Sequence, residues 1–397
     1  MKRLAAGVSA TLEELAQRAQ RRTRRCVEAQ AAQGSILAPV VDGRRLVNFC
    51  SNDYLGLAGD ARLVEAMQVA ASRWGAGAGA AHLVTGHTVE HHALEEELAA
   101  FTGRESALLF STGYMANVGV ITALAARGEV ILQDRLNHAS LLDGARQSDA
   151  RLLRYAHADA TEAARVAEGH SAELSLLVTD GVFSMDGDIA PLAGLAALAR
   201  RHSAWLLVDD AHGFGVLGAA GAGSVQAAGL SADDVPLLVG TLGKAAGSFG
   251  AFVAGDRELI DLILQRARSY IYTTALPPAV AAATRASLRI LREEGWRRER
   301  LGGLIARFRA GAITRGLPLA MSTTAIQPVV VPGAAQCLAA SQSLLERGYW
   351  VSAIRHPTVA AGTERLRVTL SAGHSESEVD GLLDALAECV PAVEAAS

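Results

Sequence analysis

Only four of the 397 residues are cysteine, Cys26, Cys50, Cys337 and Cys389, and they lie far apart. That excludes a disulfide framework and a cysteine-rich zinc site, and it predicts a reducing, cytoplasmic setting. Proline is scarce, with 10 residues against 39 glycines, and aromatics make up 5%. Such a mix suits tight turns and close backbone approach and excludes collagen-like or disordered chains. Positive charge is not in excess: the formal net charge is −4, so no basic field exists for nucleic acid. No apolar run reaches the roughly 18 to 20 residues that a membrane-spanning helix needs. The N-terminal stretch mixes Glu13 and Glu14 with arginines and has no apolar centre of the kind a secretory signal requires.

What is present is ordinary for a globular protein: half of the residues are hydrophobic and a fifth are charged. The first forty residues read as an amphipathic helix, with Leu12, Leu15 and Ala19 on one face. Short apolar runs at 106–110, 130–132, 174–178, 205–208 and 237–239 alternate with helical patterns at 88–100, 114–126 and 191–201. Runs apolar along their whole length are strands covered on both faces by helices, so an α/β domain around a mostly parallel sheet is predicted. Pro277 and Pro278 then open a helical stretch to about Arg315. Strands at 325–331, 350–354 and 366–370, with helices near 334–347 and 376–389, predict a smaller α+β domain. The expected division is a segment 1–45, a large domain 46–280 and a small domain 281–397.

Ligands of open α/β sheets bind beyond the carboxyl ends of the strands, so the polar residues just past each run are the candidates. After 106–110 comes Ser-Thr-Gly-Tyr (111–114), a small turn at a helix start that either caps the helix or offers N–H groups to a phosphate. Past 130–132 stands His138, either a helix-entry residue or a ring able to stack and move protons. The loop after 174–178 is small and acidic, Thr179 to Asp188, without the spacing of a calcium loop. Asp209 and His212 follow 205–208: a carboxylate for a protonated ring nitrogen, a pair able to ligate a metal, or a helix cap followed by a surface acid at Asp210. Lys244 lies among glycines after 237–239. Lysine is seldom buried unless used, and a desolvated one serves as an imine-forming nucleophile.

Two further clusters carry less. Gly75 to Gly79 follow a helical segment, not a strand, so they make no dinucleotide fingerprint. His87 and His91 have the i, i+4 spacing of a zinc pair but not the H-E-x-x-H order, and a capping or solvated face is the better reading. The strand-end set, taken together, holds the parts that bind pyridoxal phosphate (PLP): an imine-forming Lys and an acid for the ring nitrogen.

At this point the sequence resembles the α-oxoamine synthases, within the fold-type I PLP enzymes, from about Asn48 to His374. The motifs are Val-Asp-Asp-Ala-His-Gly (208–213), Thr-Leu-Gly-Lys (241–244), Leu-Asn-His-Ala-Ser-Leu-Leu-Asp-Gly (136–144) and Gly-Val-Phe-Ser-Met-Asp-Gly-Asp (181–188). Tyr-Thr-Thr-Ala-Leu-Pro-Pro (272–278), Ser-Asn-Asp-Tyr-Leu-Gly-Leu (51–57) and Ala-Ile-Arg-His-Pro-Thr-Val (353–359) match as well. His356 stands where relatives carry Pro, and Ala81-His82 where many carry Ser-Arg.

The resemblance implies a seven-stranded-type sheet flanked by helices and a set of residue roles. Lys244 would hold the cofactor and move protons at the substrate α-carbon. Asp209 would keep the pyridine nitrogen protonated, His138 would stack on the ring, and Ser184 and His212 would reach its phenolic oxygen. Gly113, Tyr114 and Thr241 would serve the loop and phosphate, with Thr274 reaching the phosphate of a second subunit in a homodimer with shared sites. Asn52 would lie near the reacting centre, Arg355 and Thr358 would bind a carboxylate, and Arg24 would be an N-terminal substrate arginine. The nearest branch condenses L-alanine with pimeloyl-CoA or a pimeloyl-carrier protein on the way to biotin. Its alternatives are glycine with acetyl-CoA or with succinyl-CoA. A non-catalytic binding protein and a zinc hydrolase are the readings from other classes.

Overall fold

The computed structural model describes residues 2–30 and 36–390. They fall into two compact units, one of residues 57–184 and 188–299, the other of the described residues up to 56, 185–187 and those from 300 to 390.

The first unit is built on a seven-stranded sheet. In chain order its strands are β1 (Ser106–Phe110), β2 (Val130–Asp134), β3 (Arg151–Tyr155), β4 (Leu174–Asp180), β5 (Trp205–Asp209), β6 (Leu237–Thr241) and β7 (Ala251–Gly255). They lie in the order β1-β7-β6-β5-β4-β2-β3, with β7 antiparallel to both neighbours and the other pairings parallel. The five expected strands are all present. β3 escapes the sequence pattern because it is an edge strand carrying Arg151 and Arg154, not an apolar run.

Strand parity positions everything that follows. In β5, Leu207 packs into one apolar cluster with Ala116, Val120, Leu141 and Val178. Leu206 and Val208 point into the other, with Leu177, Leu195 and Val235. One step of two beyond Leu207 therefore puts Asp209 on the face covered by the helices Gly113–Leu124 and Ala139–Gln147. Asp180 is its register partner on β4, two residues past Val178, so it shares that face.

The division differs from the expected boundary near 280. The stretch from Pro278 is two helices, Pro278–Glu293 and Trp296–Thr314, broken at Glu294 and Gly295. The first packs against Ala61–Trp74 and Val89–Thr102 and so stays with the sheet unit. The N-terminal segment likewise extends past 45: Val47 and Asn48 pair with Tyr349 and Trp350, and Thr369 N–H donates to Phe49 O at 2.8 Å. The expected strand 350–354 is therefore split between two sheets, Tyr349–Trp350 on one and Ser352–Ile354 on the other. In the second unit an antiparallel sheet of Ile326–Val330, Arg365–Thr369 and Ser352–Ile354 carries the helices Ala334–Glu346 and Glu376–Cys389. The N-terminal helix Lys2–Gln17 stops before Ala19, whose φ is 54°, and Leu12 is exposed.

Candidate active site

Four strand ends gather one polar group. The Thr241 hydroxyl, at the end of β6, donates to Gly250 O at 3.1 Å and accepts the Gly243 N–H at 3.3 Å. In the turn that follows, half-buried Lys244 places Nζ 2.9 Å from His212 Nε2. His212 comes from the turn after β5, where Asp209 is buried and accepts the Ala211 N–H at 3.0 Å. The other Asp209 oxygen accepts from Asn117 Nδ2 at 2.6 Å. Asp180, at the end of β4, accepts the His138 backbone N–H at 2.7 Å. Burial, and then the charge of Asp209, push Asp180 well above the ordinary carboxylate range. Burial lowers His138 below the usual imidazole value, which leaves it neutral near pH 7.

At the end of β1, Thr112 caps the helix Gly113–Leu124 by accepting the Met115 N–H at 3.2 Å. Gly113 and Tyr114 form its first turn, and the Tyr114 hydroxyl donates to Asp143 at 2.5 Å. A side chain at Gly113 would meet nothing within 4 Å, so the turn faces open space. Ser184 is half-buried in the loop after β4. Thr274 is exposed on the segment after Arg268–Ile271.

Asp210 is not the surface acid expected from sequence. It is fully buried, accepts the Ser224 N–H at 2.7 Å, and is pushed up to about 7 by burial. Its room exists because Gly213 and Gly223 lack a Cβ, which would stand 2.1 and 1.8 Å from its oxygens.

The loop carrying Ser184 is anchored by His157. Its Nδ1 lies 3.1 Å from Asp134 and its Nε2 2.9 Å from Asp188. Burial pulls His157 down, but the hydrogen bonds and charges of the two carboxylates outweigh it and raise it to about 10. A raised folded-state value stabilises fully below the unfolded value near 6.5 and is lost as pH climbs through about 10. His157→Gln is expected to cost roughly 3 kcal/mol at pH 6. Denaturant melts should show that difference shrinking towards pH 10; a difference independent of pH would contradict the charged clamp.

His91 completes a capping box with Thr88, accepting its N–H at 3.0 Å, while its Nε2 sits 2.5 Å from Leu276 O. Ring nitrogens of His82, His87 and His91 come within 4.8 Å of one another. With both nitrogens of His91 so committed, a metal would have to displace either the helix cap at Nδ1 or the Leu276 contact at Nε2.

The second unit carries the remaining candidates. Asn52 Oδ1 accepts from Arg367 at 3.2 Å and from the Tyr54 hydroxyl at 3.2 Å. Arg355 donates to the backbone oxygens of Ala19 and, at 3.2 Å, Arg21. Arg21, Arg22, Arg25, Arg355, His356 and Thr358 line a cavity of about 630 Å³, with no Asp or Glu among its described lining residues. Arg24 is exposed and outside that lining. Sequence reasoning missed Asn117, Asp180 and Arg367. For Asn117 the signal was available: a lone amide in an otherwise apolar helix.

Among the described residues no helix is long and apolar enough to cross a membrane. The model of the family Aminotransferase class I and II matches residues 44–386. The 8-amino-7-oxononanoate synthase of Methylococcus capsulatus is 62% identical over 352 residues, 89% of this chain and 91% of that one. Among solved structures, a serine palmitoyltransferase from S. paucimobilis with bound PLP–myriocin has a TM-score of 0.90 at 31% identity, covering 96% of each chain. The crystal structure of 8-amino-7-oxononanoate synthase from Francisella tularensis gives 0.77 at 30% identity, covering 86% of this chain and 97% of that one. The chain belongs to the aminotransferase class I and II family and, within it, to the 8-amino-7-oxononanoate synthases.

Proposed function

We propose that this chain condenses L-alanine with a pimeloyl thioester, releasing CO₂ and the carrier thiol and giving 8-amino-7-oxononanoate for biotin synthesis. The observation that carries the reading is the strand-end row itself: an amine at Lys244, an imidazole 2.9 Å away at His212, and a buried, doubly hydrogen-bonded carboxylate at Asp209. Relatives named 8-amino-7-oxononanoate synthase, at about 60% identity, favour it over the glycine-dependent alternatives.

The residues present fit PLP. Lys244 would hold it covalently, Asp209 would meet its ring nitrogen, and His138 would lie against its ring. Ser184 and His212 would serve the phenolic oxygen; Gly113, Tyr114 and Thr241 would serve the phosphate side, joined in a homodimer by Thr274 of the partner subunit. The cofactor, when bound, supplies an electron sink for the carbanion that the condensation needs.

The chain's own groups do the rest. Lys244 takes the proton from the alanine α-carbon and later returns one, with His212 as its hydrogen-bond partner. Asp209, oriented by its two hydrogen-bond donors, would hold a proton on the ring nitrogen. His138, neutral, can donate but carries no charge that would compete with Asp209. Arg355 and Thr358 bind the alanine carboxylate, Asn52 lies near the reacting carbon, and the N-terminal arginines, Arg24 among them, meet the acyl substrate.

Arg355→Ala tests the substrate side. It is expected to raise KM for L-alanine about 10- to 100-fold, with a smaller loss in kcat, as removal of a charge-assisted contact does. Steady-state kinetics with KM unchanged would remove Arg355 from alanine binding.

A further inference from the structure

Asp209 and His138 have roles in the reaction proposed above, and one side chain stands between them. Asn117 is 1% exposed in the helix Gly113–Leu124. Its Nδ2 donates to Asp209 Oδ2 at 2.6 Å and to Ser140 Oγ at 2.9 Å. Ser140, fully buried, opens the next helix, with Oγ 2.7 Å from His138 Nδ1.

Chemistry fixes the direction of this chain. Both neighbours of Nδ2 are oxygens, and a turned amide would set its carbonyl against a carboxylate. The Asn117 Oδ1 atom is buried with no hydrogen-bond partner among the described residues. An unpaired buried oxygen is a cost to folding, so the amide is kept for its N–H groups. The Ser140 backbone N–H also points at His138 Nδ1, at 3.3 Å. That nitrogen is therefore the acceptor, and the Ser140 hydroxyl donates to it while accepting from Asn117. The proton of neutral His138 is left on Nε2.

We propose that Asn117 is a positioning residue: one amide keeps Asp209 oriented and, through Ser140, fixes His138 as its Nε2–H tautomer. The inference rests on the reading of Asp209 and His138 given under the proposed function. It adds a device that sets two groups of the site from one buried point. Without that hydrogen bond one Asp209 oxygen loses the donor that fixes its direction.

The test uses the full-length, PLP-loaded protein and two variants, Asn117→Leu, which keeps the outline without the N–H groups, and Ser140→Ala. Asn117→Leu is expected to weaken PLP binding and lower kcat about 10- to 100-fold. KM for L-alanine should stay within about twofold. Nitrogen-15 spectra of histidine-labelled protein should show His138 protonated at Nε2 in the wild type, and in Ser140→Ala, where only the backbone N–H at 3.3 Å still faces Nδ1, the Nδ1 resonance should move towards that of a weakly hydrogen-bonded acceptor. PLP affinity and kcat both unchanged in Asn117→Leu would overturn the positioning role. So would an Nδ1–H tautomer in the wild type, or an Nδ1 resonance unmoved in Ser140→Ala. The spectra decide the matter even if Asn117→Leu does not fold. Lys244→Ala separates the two levels: if it is active the catalytic reading itself fails, whereas if it is inactive while Asn117→Leu behaves as wild type, only the positioning role fails.

Discussion

Lys244→Ala is expected to lower turnover at least about 10⁴-fold, because it removes both the covalent hold on the cofactor and the group that moves the α-proton. The fold should survive. Lys244 is half-buried in the turn after the last parallel strand, and the apolar clusters on either face of the sheet do not include it. Circular dichroism should match the wild type, and melting should shift by no more than about 1 kcal/mol, as for substitutions outside a core. Turnover within tenfold of wild type, in a variant shown by mass to be alanine at this position, would contradict the role given to Lys244.

Asp209→Asn should have the second largest effect, and for a reason visible in its partners. One carboxylate oxygen accepts the Ala211 N–H and the other accepts from Asn117. An asparagine must present its NH₂ to one of these two donors, whichever way it turns, so a donor faces a donor. The clash costs about 1–3 kcal/mol in the folded state. More important, a neutral amide cannot hold a proton on a ring nitrogen, and turnover should fall about 10²- to 10⁴-fold. Melting curves together with kcat measure both effects. A variant that is less stable but fully active would leave Asp209 a purely structural acid.

Much of this was legible in the sequence because the physics of a buried parallel sheet is local. Strands covered on both faces are continuous apolar runs, so the ends of β2, β4, β5 and β6 could be read to within two residues. His138, Asp209, Thr241 and Lys244 follow those ends directly. β7 was hidden because Ala251–Gly255 directly follows a glycine-rich turn and runs antiparallel. The helix Pro278–Glu293 looked like the start of the small domain, since its partners, Ala61–Trp74 and Val89–Thr102, are about 200 residues away in sequence, a separation no local pattern reports. Asp210 illustrates the same limit: its burial depends on glycines at 213 and 223 making room for a carboxylate, which adjacency in sequence does not reveal. Arg24 was chosen from a run of arginines by resemblance, whereas the cavity beside Arg355 is lined by Arg21, Arg22 and Arg25.

The most direct test of the central claim supplies PLP-loaded protein with pimeloyl-CoA and carboxyl-labelled L-alanine, and follows labelled CO₂, free thiol and product mass together. The account predicts equal amounts of all three, with alanine turned over faster than glycine or L-serine, and no turnover without PLP. Glycine with acetyl-CoA or succinyl-CoA outpacing alanine with pimeloyl-CoA, or CO₂ released without product of the expected mass, would contradict it.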